Sequence, residues 1–136
     1  MGWEMIQRLQ VRTSAKTEFL DITKLVEGAV RKTGMEDGLC FVYVPHTTAG
    51  VTINENADPN VSRDILTTLN KMVPLHDPYQ HVEGNAPAHI KASLVGSSVQ
   101  VPIAGGRLML GTWQGIFFCE FDGPRRRSLG IQISGK

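Results

Sequence analysis

The stretch of residues 45–58, PHTTAGVTINENAD, concentrates side chains that can do chemistry. It holds a histidine, His46, two carboxylates, Glu55 and Asp58, and several hydroxyl and amide groups. A plain half-buried strand needs few such groups, so their density indicates a binding or catalytic site. Either carboxylate could act as a general base or orient a histidine. Asp58 precedes Pro59, however, and an Asp-Pro pair is also typical of a helix start.

Two further histidines, His81 and His89, could belong to the same site. Their spacing matches no established metal-ligand pattern, so three independent histidines are one interpretation. In the alternative, His46, His81 and His89 converge on one pocket, where neutral imidazoles hold a divalent metal and leave one position open. His76, beside an Asp-Pro pair, is expected in a solvated turn outside that site.

Other polar groups fall in predicted turns. Gly84-Asn85 could present backbone N–H groups to an anion. Arg107 could lie on the surface or reach the same side as Thr112, in the segment Gly111-Thr112-Trp113-Gln114-Gly115. That segment is either a hairpin whose Trp113 covers the edge of the core, or a rim with one aromatic surface and two polar groups, Thr112 and Gln114, for a ligand. The basic run at residues 125–127 is typical of a solvated edge, although it could steer phosphate-bearing ligands.

The elements that must position these residues follow from the pattern of apolar residues. Residues 39–44, LCFVYV, predict a buried strand that ends just before His46. Strands are also predicted at 4–13, 17–20, 50–54, 98–103, 107–110, 114–121 and 126–133, the last four as a β-meander.

Helical spacing predicts three helices. One begins after Asp21 as N-cap and ends at Gly34. A second runs from Pro59 to Pro74, with an inner stripe of Val61, Ile65, Leu69, Met72 and Val73. A third is short, at residues 88–94. The polar loop 75–87 joins the last two and carries His81.

These elements predict an α+β fold: packed antiparallel β-sheets with two to three helices on the outside, in a single domain over residues 1–136. The hydrophobic content of 41% and charged content of 20% are those of a globular protein rather than a disordered one. A net charge of +1 gives no general electrostatic reason to bind nucleic acid or membrane. Cys40 and Cys119 lie in apolar runs and are expected to be buried free thiols. We therefore expect a soluble cytoplasmic protein without a signal peptide.

Three long motifs in this chain, taken together, are characteristic of one family. HTTAGVTINENAD, NAPAHIKASLVGSS and GRLMLGTWQGIFFCEFDGPRRR, in this order, resemble the YjbQ-like family, a former uncharacterised protein family often described as secondary thiamine-phosphate synthase. The resemblance covers nearly the whole chain. It implies a homotrimer of α+β domains and a pocket with His46, His81 and His89, with Asp58, Asn85 and the turn 112–114 nearby. It also implies a metal ion at the histidines.

The activity implied by the resemblance joins a pyrimidine diphosphate to a thiazole phosphate and releases pyrophosphate. A three-imidazole site favours Zn²⁺ or a similar transition metal, whereas pyrophosphate chemistry commonly uses Mg²⁺. One alternative is a metal-dependent hydrolase with Glu55 or Asp58 as base. Another is a non-catalytic trimer that binds an anionic metabolite in the same pocket.

Overall fold

The computed structural model describes residues 2–3 and 6–135. In this part of the chain nine strands and three helices follow one another in the order β1 Gly2–Trp3, β2 Gln7–Arg12, β3 Glu18–Asp21, α1 Thr23–Thr33, β4 Gly38–Tyr43, β5 Ala49–Glu55, α2 Pro59–Met72, α3 Ala86–Val95, β6 Ser98–Ala104, β7 Arg107–Leu108, β8 Gln114–Glu120 and β9 Arg126–Gly135.

The strands form two antiparallel sheets. The larger sheet has the order β1-β9-β4-β6-β7, and β2 also pairs with β9. The smaller sheet has the order β3-β8-β5. The predicted α+β fold with packed antiparallel sheets and outer helices is confirmed.

The residues of β8 pack on both faces of the small sheet. One face packs against the large sheet, and the other face packs against helices. Side chains on a strand alternate between the two faces of the sheet. Ile116 and Phe118 join the main core, which also contains apolar residues of β4, β9 and α1. Phe117 and Cys119 point the other way and pack with residues of α2 and α3. Because both faces of β8 are buried, its residues 116–119 are continuously apolar in the sequence.

The ends of α1 and the start of α2 lie within one residue of the predicted positions, although the N-cap of α1 is Ile22 rather than Asp21. The Asp21 carboxylate accepts a hydrogen bond from the Thr23 amide at 2.9 Å, and Gly34 ends α1 in the left-handed conformation with φ of 67°. Asp58 caps α2 by accepting from the Asn60 amide at 2.9 Å, with Pro59 in the first turn. The carboxylates of Asp21 and Asp58 both accept from amides that have no partner within the helix.

The last four strands do not form the predicted meander. β8 pairs with β3 and β5 in the small sheet, whereas β9 returns to the large sheet between β2 and β4. β7 is also shorter than predicted and ends at Leu108. The apolar patterns locate the strands but contain no information about which strand each one pairs with.

Two helices also differ from the prediction. Of the predicted inner stripe of α2, Leu69 packs inward and Val73, the residue after the helix, is buried, whereas Met72 is 64% exposed. Leu66, which is outside the predicted stripe, also packs inward. Helix α3 begins at Ala86 rather than residue 88, because Pro87 is accommodated in the first turn, where no amide is needed. The predicted first strand included Glu4 and Met5, which lie outside the described residues.

Both cysteines are free and buried, as predicted. Burial raises the pKa of the Cys40 thiol to about 11 and raises that of Cys119 further. Neither thiol is therefore suited to nucleophilic chemistry near neutral pH. None of the helices in the described residues is long and apolar enough to cross a membrane.

Candidate functional site

The three candidate histidines line one open cleft of about 460 Å³. His46 comes from the connection between β4 and β5, His81 from the loop between α2 and α3, and His89 from the first turns of α3. The remaining lining residues are Pro45, Thr47, Thr48, Glu83, Asn85, Asp122, Arg125 and Arg127. The structure therefore brings together three residues that lie up to 43 positions apart in the sequence (89 − 46 = 43).

A close approach of two backbones holds α3 beside β5. The amide of Val51 donates to the carbonyl of Gly96, the residue after α3, at 3.1 Å. A Cβ added at Gly50 would lie 2.5 Å from that same carbonyl oxygen, closer than real Cβ atoms come. Glycine at position 50 therefore allows α3 to lie against the start of β5, which places His89 beside His46.

His81 and His89 form a close pair. Their ring centres are 5.0 Å apart and the rings are inclined at 79°. The Glu83 carboxylate lies 3.9 Å from Nε2 of His81. One wall of the cleft therefore carries the paired imidazoles of His81 and His89, with the Glu83 carboxylate beside His81.

His46 is held by the backbone of β9. Its Nε2 lies 3.0 Å from the amide nitrogen of Ser128 and 3.1 Å from its carbonyl oxygen. One ring tautomer accepts from the amide and the other donates to the carbonyl. In either case Nε2 is engaged by Ser128, and Nδ1 is the nitrogen left for a ligand.

The pKa of His46 is lowered from its usual value. Burial is the main cause, the Arg127 guanidinium adds to it, and the contact with Ser128 opposes it. His46 is therefore a neutral imidazole at pH 7, which is the form that accepts a proton or binds a metal.

A buried ionic network lies behind His46. Glu120 is fully buried and Arg127 is 3% exposed. Nε of Arg127 donates to Glu120 at 2.9 Å, and the second guanidinium nitrogen donates to the same carboxylate and, at 2.8 Å, to Oγ1 of Thr48. Thr13 also donates to Glu120, at 2.7 Å. The network joins β8 to β9 directly beside Ser128, so it supports the strand that orients His46.

The sequence interpretation missed Arg127 as part of the site. The run 125–127 was expected to be a solvated edge, which holds for Arg125 and Arg126 but not for Arg127. A signal was available: Glu120 ends the apolar run of β8, and a charged residue in a strand buried on both faces requires a partner.

Asp122 forms ion pairs with two cationic side chains at the rim of the cleft. Its carboxylate lies 2.7 Å from Nζ of Lys16 and 3.1 Å from the guanidinium of Arg125, and it accepts from the Asn85 amide at 3.0 Å. Burial favours the neutral acid, but the hydrogen bonds from Lys16 and Asn85 outweigh it and lower the pKa of Asp122. Oδ1 of Asn85 is buried and has no partner among the described residues.

The structure does not bring Glu55, Asp58, Thr112, Trp113 and Gln114 to the histidines. Glu55 pairs with Gln114 at the far end of the ladder between β5 and β8, and the Asn56 amide donates to the Trp113 carbonyl at 3.0 Å. With about 3.3 Å per residue, that end of β5 lies roughly 20 Å from the end that follows His46. Asp58 serves as the cap of α2. Trp113 is 63% exposed, so it forms a separate surface rather than a cover for the core.

Arg107 lines neither the histidine cleft nor the turn that carries Trp113. It lines a cleft of about 500 Å³ together with Glu27 and Arg31 of α1. The predicted ligand-binding residues therefore divide between different regions, and of these only Asn85 lies in the histidine cleft.

The histidines match a transition metal in donor type but do not form a complete ligand set. Two imidazoles on one tetrahedral ion would have ring centres roughly 5 Å apart, and His81 and His89 have this separation. In the part of the chain that the structure describes, however, no group of three or more His, Cys, Asp or Glu side chains is arranged to hold a metal ion. His46 would have to join the pair through Nδ1.

Comparison with known proteins agrees with the motif resemblance. A model of the family described as "UPF0047 protein YjbQ-like" matches residues 7–136. This chain belongs to the YjbQ-like UPF0047 family. YugU of Bacillus subtilis, a UPF0047 protein, is 50% identical over 132 residues, covering 96% of this chain and 100% of its own length. A UPF0047 protein of Methanocaldococcus jannaschii is 49% identical over 132 residues, covering 97% and 96% of the two chains.

Solved structures of similar proteins share this fold. A crystal structure from Clostridium acetobutylicum is 56% identical and superimposes with a TM-score of 0.93, covering 94% of this chain and 99% of that one. The hypothetical protein APE1520 of Aeropyrum pernix is 39% identical with a TM-score of 0.93, covering 98% of this chain and 100% of that one. The membership predicted from the three motifs is confirmed.

Proposed function

We propose that this YjbQ-like protein is a small metabolic enzyme that converts a phosphorylated substrate in the histidine cleft, with thiamine-phosphate synthesis as its candidate activity. The observation that carries the proposal is that a neutral imidazole, a pair of further histidines and an exposed guanidinium face one cleft. When a pyrimidine diphosphate is joined to a thiazole phosphate, the thiazole nitrogen attacks the methylene carbon and the carbon–oxygen bond to pyrophosphate breaks; the departing pyrophosphate requires cations and hydrogen-bond donors that stabilise its charge. The cleft contains both kinds of group.

Each residue has a distinct proposed role. Arg125 binds phosphate oxygens, because its guanidinium is half exposed at the rim and is engaged only on the side of Asp122. His46 accepts or donates a proton at Nδ1, since Nε2 is held by Ser128. Asn85 orients the substrate through its amide. The Arg127–Glu120 pair is a positioning element for His46, acting through Ser128.

We further propose that His46, His81 and His89 hold a divalent metal, Zn²⁺ or a similar ion, with Mg²⁺ as the alternative for pyrophosphate. A metal bound there would act as a Lewis acid on phosphoryl oxygens. Support comes from the spacing of His81 and His89 and from the lowered pKa of His46, because only neutral imidazole binds a metal. Metal analysis of the purified protein tests this proposal, and loss of bound metal in His89→Ala is the expected result.

We also propose a homotrimer in which neighbouring subunits complete the site. Exposed apolar side chains occur beside the cleft, where Val82 is 95% and Leu94 57% exposed, and near the far turn, where Trp113 is 63% and Met109 57% exposed. Two different patches favour a head-to-tail contact, which closes into a ring. In such a ring Trp113 of one subunit would supply the flat surface for a heterocycle beside the histidines of the next.

A complementation experiment tests the shared site. His46→Asn and Trp113→Ala are each expected to be inactive as pure trimers. Subunits of the two variants, mixed and reassembled, would regain part of the activity because some sites combine an intact histidine cleft with an intact Trp113. If mixing restores nothing while native mass spectrometry shows mixed trimers, the site is not shared.

Turnover is tested directly with the two phosphorylated heterocycles. Thiamine phosphate is quantified by mass spectrometry and pyrophosphate by an enzymatic assay. We expect His46→Asn and His89→Ala to lose activity by about two orders of magnitude or more. His76→Ala is the matched control, because His76 is exposed in the same loop as His81 but does not line the cleft. Equal activity of all three variants would refute the proposed site.

Two alternatives use the same cleft. A metal-dependent hydrolase would need a base beside the histidines; Glu55 and Asp58 lie elsewhere, whereas Glu83 contacts His81. It would release inorganic phosphate in a Glu83-dependent way. A binding protein without catalysis would be stabilised by anionic ligands and would form no product.

We also propose that the protein is cytoplasmic. The two buried free thiols support this location.

A further inference from the structure

A second pocket lies on the other side of Asn85 from the histidines. It encloses about 180 Å³ between α2, α3 and the loop before β3, and Asn85 lines both this pocket and the histidine cleft. Phe121 and Ala88 form part of its apolar wall, and both are buried. Its volume equals that of about six water molecules at ~30 Å³ each, which is enough for one small polyatomic ion.

Lys91 places a buried positive charge in this pocket. The residue is 5% exposed and lies on the face of α3 that also carries the buried Ala88 and Ala92. Its ammonium donates to Oδ1 of Asn70, and no carboxylate forms an ion pair with it among the described residues. A buried charge is costly without an opposite charge, and an ammonium group has three donors, of which this contact uses one.

The other polar groups of the pocket add donors rather than a compensating anion. Lys16 contributes a second ammonium, which is 54% exposed and paired with Asp122. That carboxylate is shared with Arg125 and Asn85, so it does not neutralise Lys91 as well. Thr17 and the amides of Asn70 and Asn85 complete the polar lining. The pocket therefore has an excess of positive charge and of hydrogen-bond donors around a space of ionic size.

We propose that this pocket is a second ligand site, separate from the histidine cleft, which binds a phosphate group between the ammonium groups of Lys91 and Lys16. A tetrahedral oxyanion offers several acceptors to donors that converge from different elements. A phosphate oxygen that keeps its proton near neutral pH also donates a hydrogen bond, which the buried, unpartnered Oδ1 of Asn85 can accept. The phosphate is either inorganic phosphate or the terminal group of a small metabolite.

Binding is tested by calorimetry on the full chain, with inorganic phosphate and glycerol phosphate as separate probes and chloride as the reference salt. Lys91→Met keeps an unbranched side chain, one atom shorter than lysine, and removes the charge, and we expect it to weaken phosphate binding by roughly tenfold or more. Lys16→Met should weaken it several-fold, since Lys16 is half exposed. Lys71→Met, on the exposed face of α2, is the matched control and should bind as the unaltered protein does.

Two comparisons make the outcome decisive. His46→Asn and His89→Ala should retain this phosphate binding, because neither residue lines the second pocket. Loss of turnover with retained phosphate binding in these variants would show that the two sites are separate. If Lys91→Met fails to fold, Lys16→Met decides the question. Binding unchanged in both lysine variants, or no binding of either probe to the unaltered protein, would overturn the proposal. The probe that binds more tightly identifies whether free phosphate or an esterified phosphate is the ligand.

Discussion

The buried pair of Glu120 and Arg127 is the feature whose loss should have the largest measurable effect. We predict that Arg127→Met destabilises the protein strongly near pH 7, because it leaves a carboxylate with no exposed surface and without its cation. Breaking such a pair by removing one partner costs about 3–5 kcal/mol. Thr13 and the Asp122 amide still donate to Glu120 at 2.7 and 3.0 Å, so we expect the lower end of that range, about 3 kcal/mol.

The measurement is equilibrium urea unfolding followed by circular dichroism. Arg126→Met, at the exposed neighbouring position, should change the free energy of unfolding by less than ~0.5 kcal/mol. The double variant Glu120→Gln/Arg127→Met should be more stable than Arg127→Met, since it removes the unpaired charge. Comparable stability of Arg127→Met and Arg126→Met would refute the view that this pair holds β8 and β9 together.

The pH dependence of the same experiment gives an independent check. Burial raises the pKa of Glu120, but the hydrogen bonds from Arg127, the Asp122 amide and Thr13 outweigh it and lower the value. A carboxyl whose pKa is lowered on folding stabilises above its unfolded pKa and loses that contribution as the pH falls. Without Arg127 the burial effect dominates, so the penalty in Arg127→Met should shrink in acid. A penalty independent of pH would contradict this assignment.

Three further predictions concern single residues. The pKa of His46, followed by NMR of its ring protons, should lie below that of an ordinary histidine. As the pH falls below about 6.5, the unfolded chain protonates this imidazole before the folded protein does, so His46 should lower the stability of the fold in acid. A His46→Asn variant should lack this part of the pH dependence. Asp58→Ala should cost about 1 kcal/mol of stability through loss of the α2 cap, whereas Asp58→Asn should cost less, and both should leave ligand binding in the histidine cleft unchanged. Cys119 should resist thiol reagents in the native protein and react fully in urea; rapid native labelling would show that the core between β8 and the helices opens readily.

Local signals in the sequence were sufficient for the elements themselves. The Asp58-Pro59 pair predicts the start of α2, and Gly34 the end of α1, because caps are decided by groups within a few residues. The apolar run at 39–44 predicts a buried strand for the same reason. The convergence of the three histidines, in contrast, is predicted only by the resemblance to a family, since their spacing alone favours independent histidines.

Tertiary structure decided which of the candidate residues meet. The antiparallel ladder of β5 and β8 pairs Ala49 with Glu120 at one end and Glu55 with Gln114 at the other. One end of this ladder therefore belongs to the histidine cleft, and the other carries the Trp113 turn. Strand register is set by packing between segments distant in sequence, so no local pattern in residues 45–58 could show that its two halves serve different surfaces. The return of β9 to the large sheet next to the end of β8 buries Arg127 against Glu120, so this residue of the basic run supports the strand that orients His46.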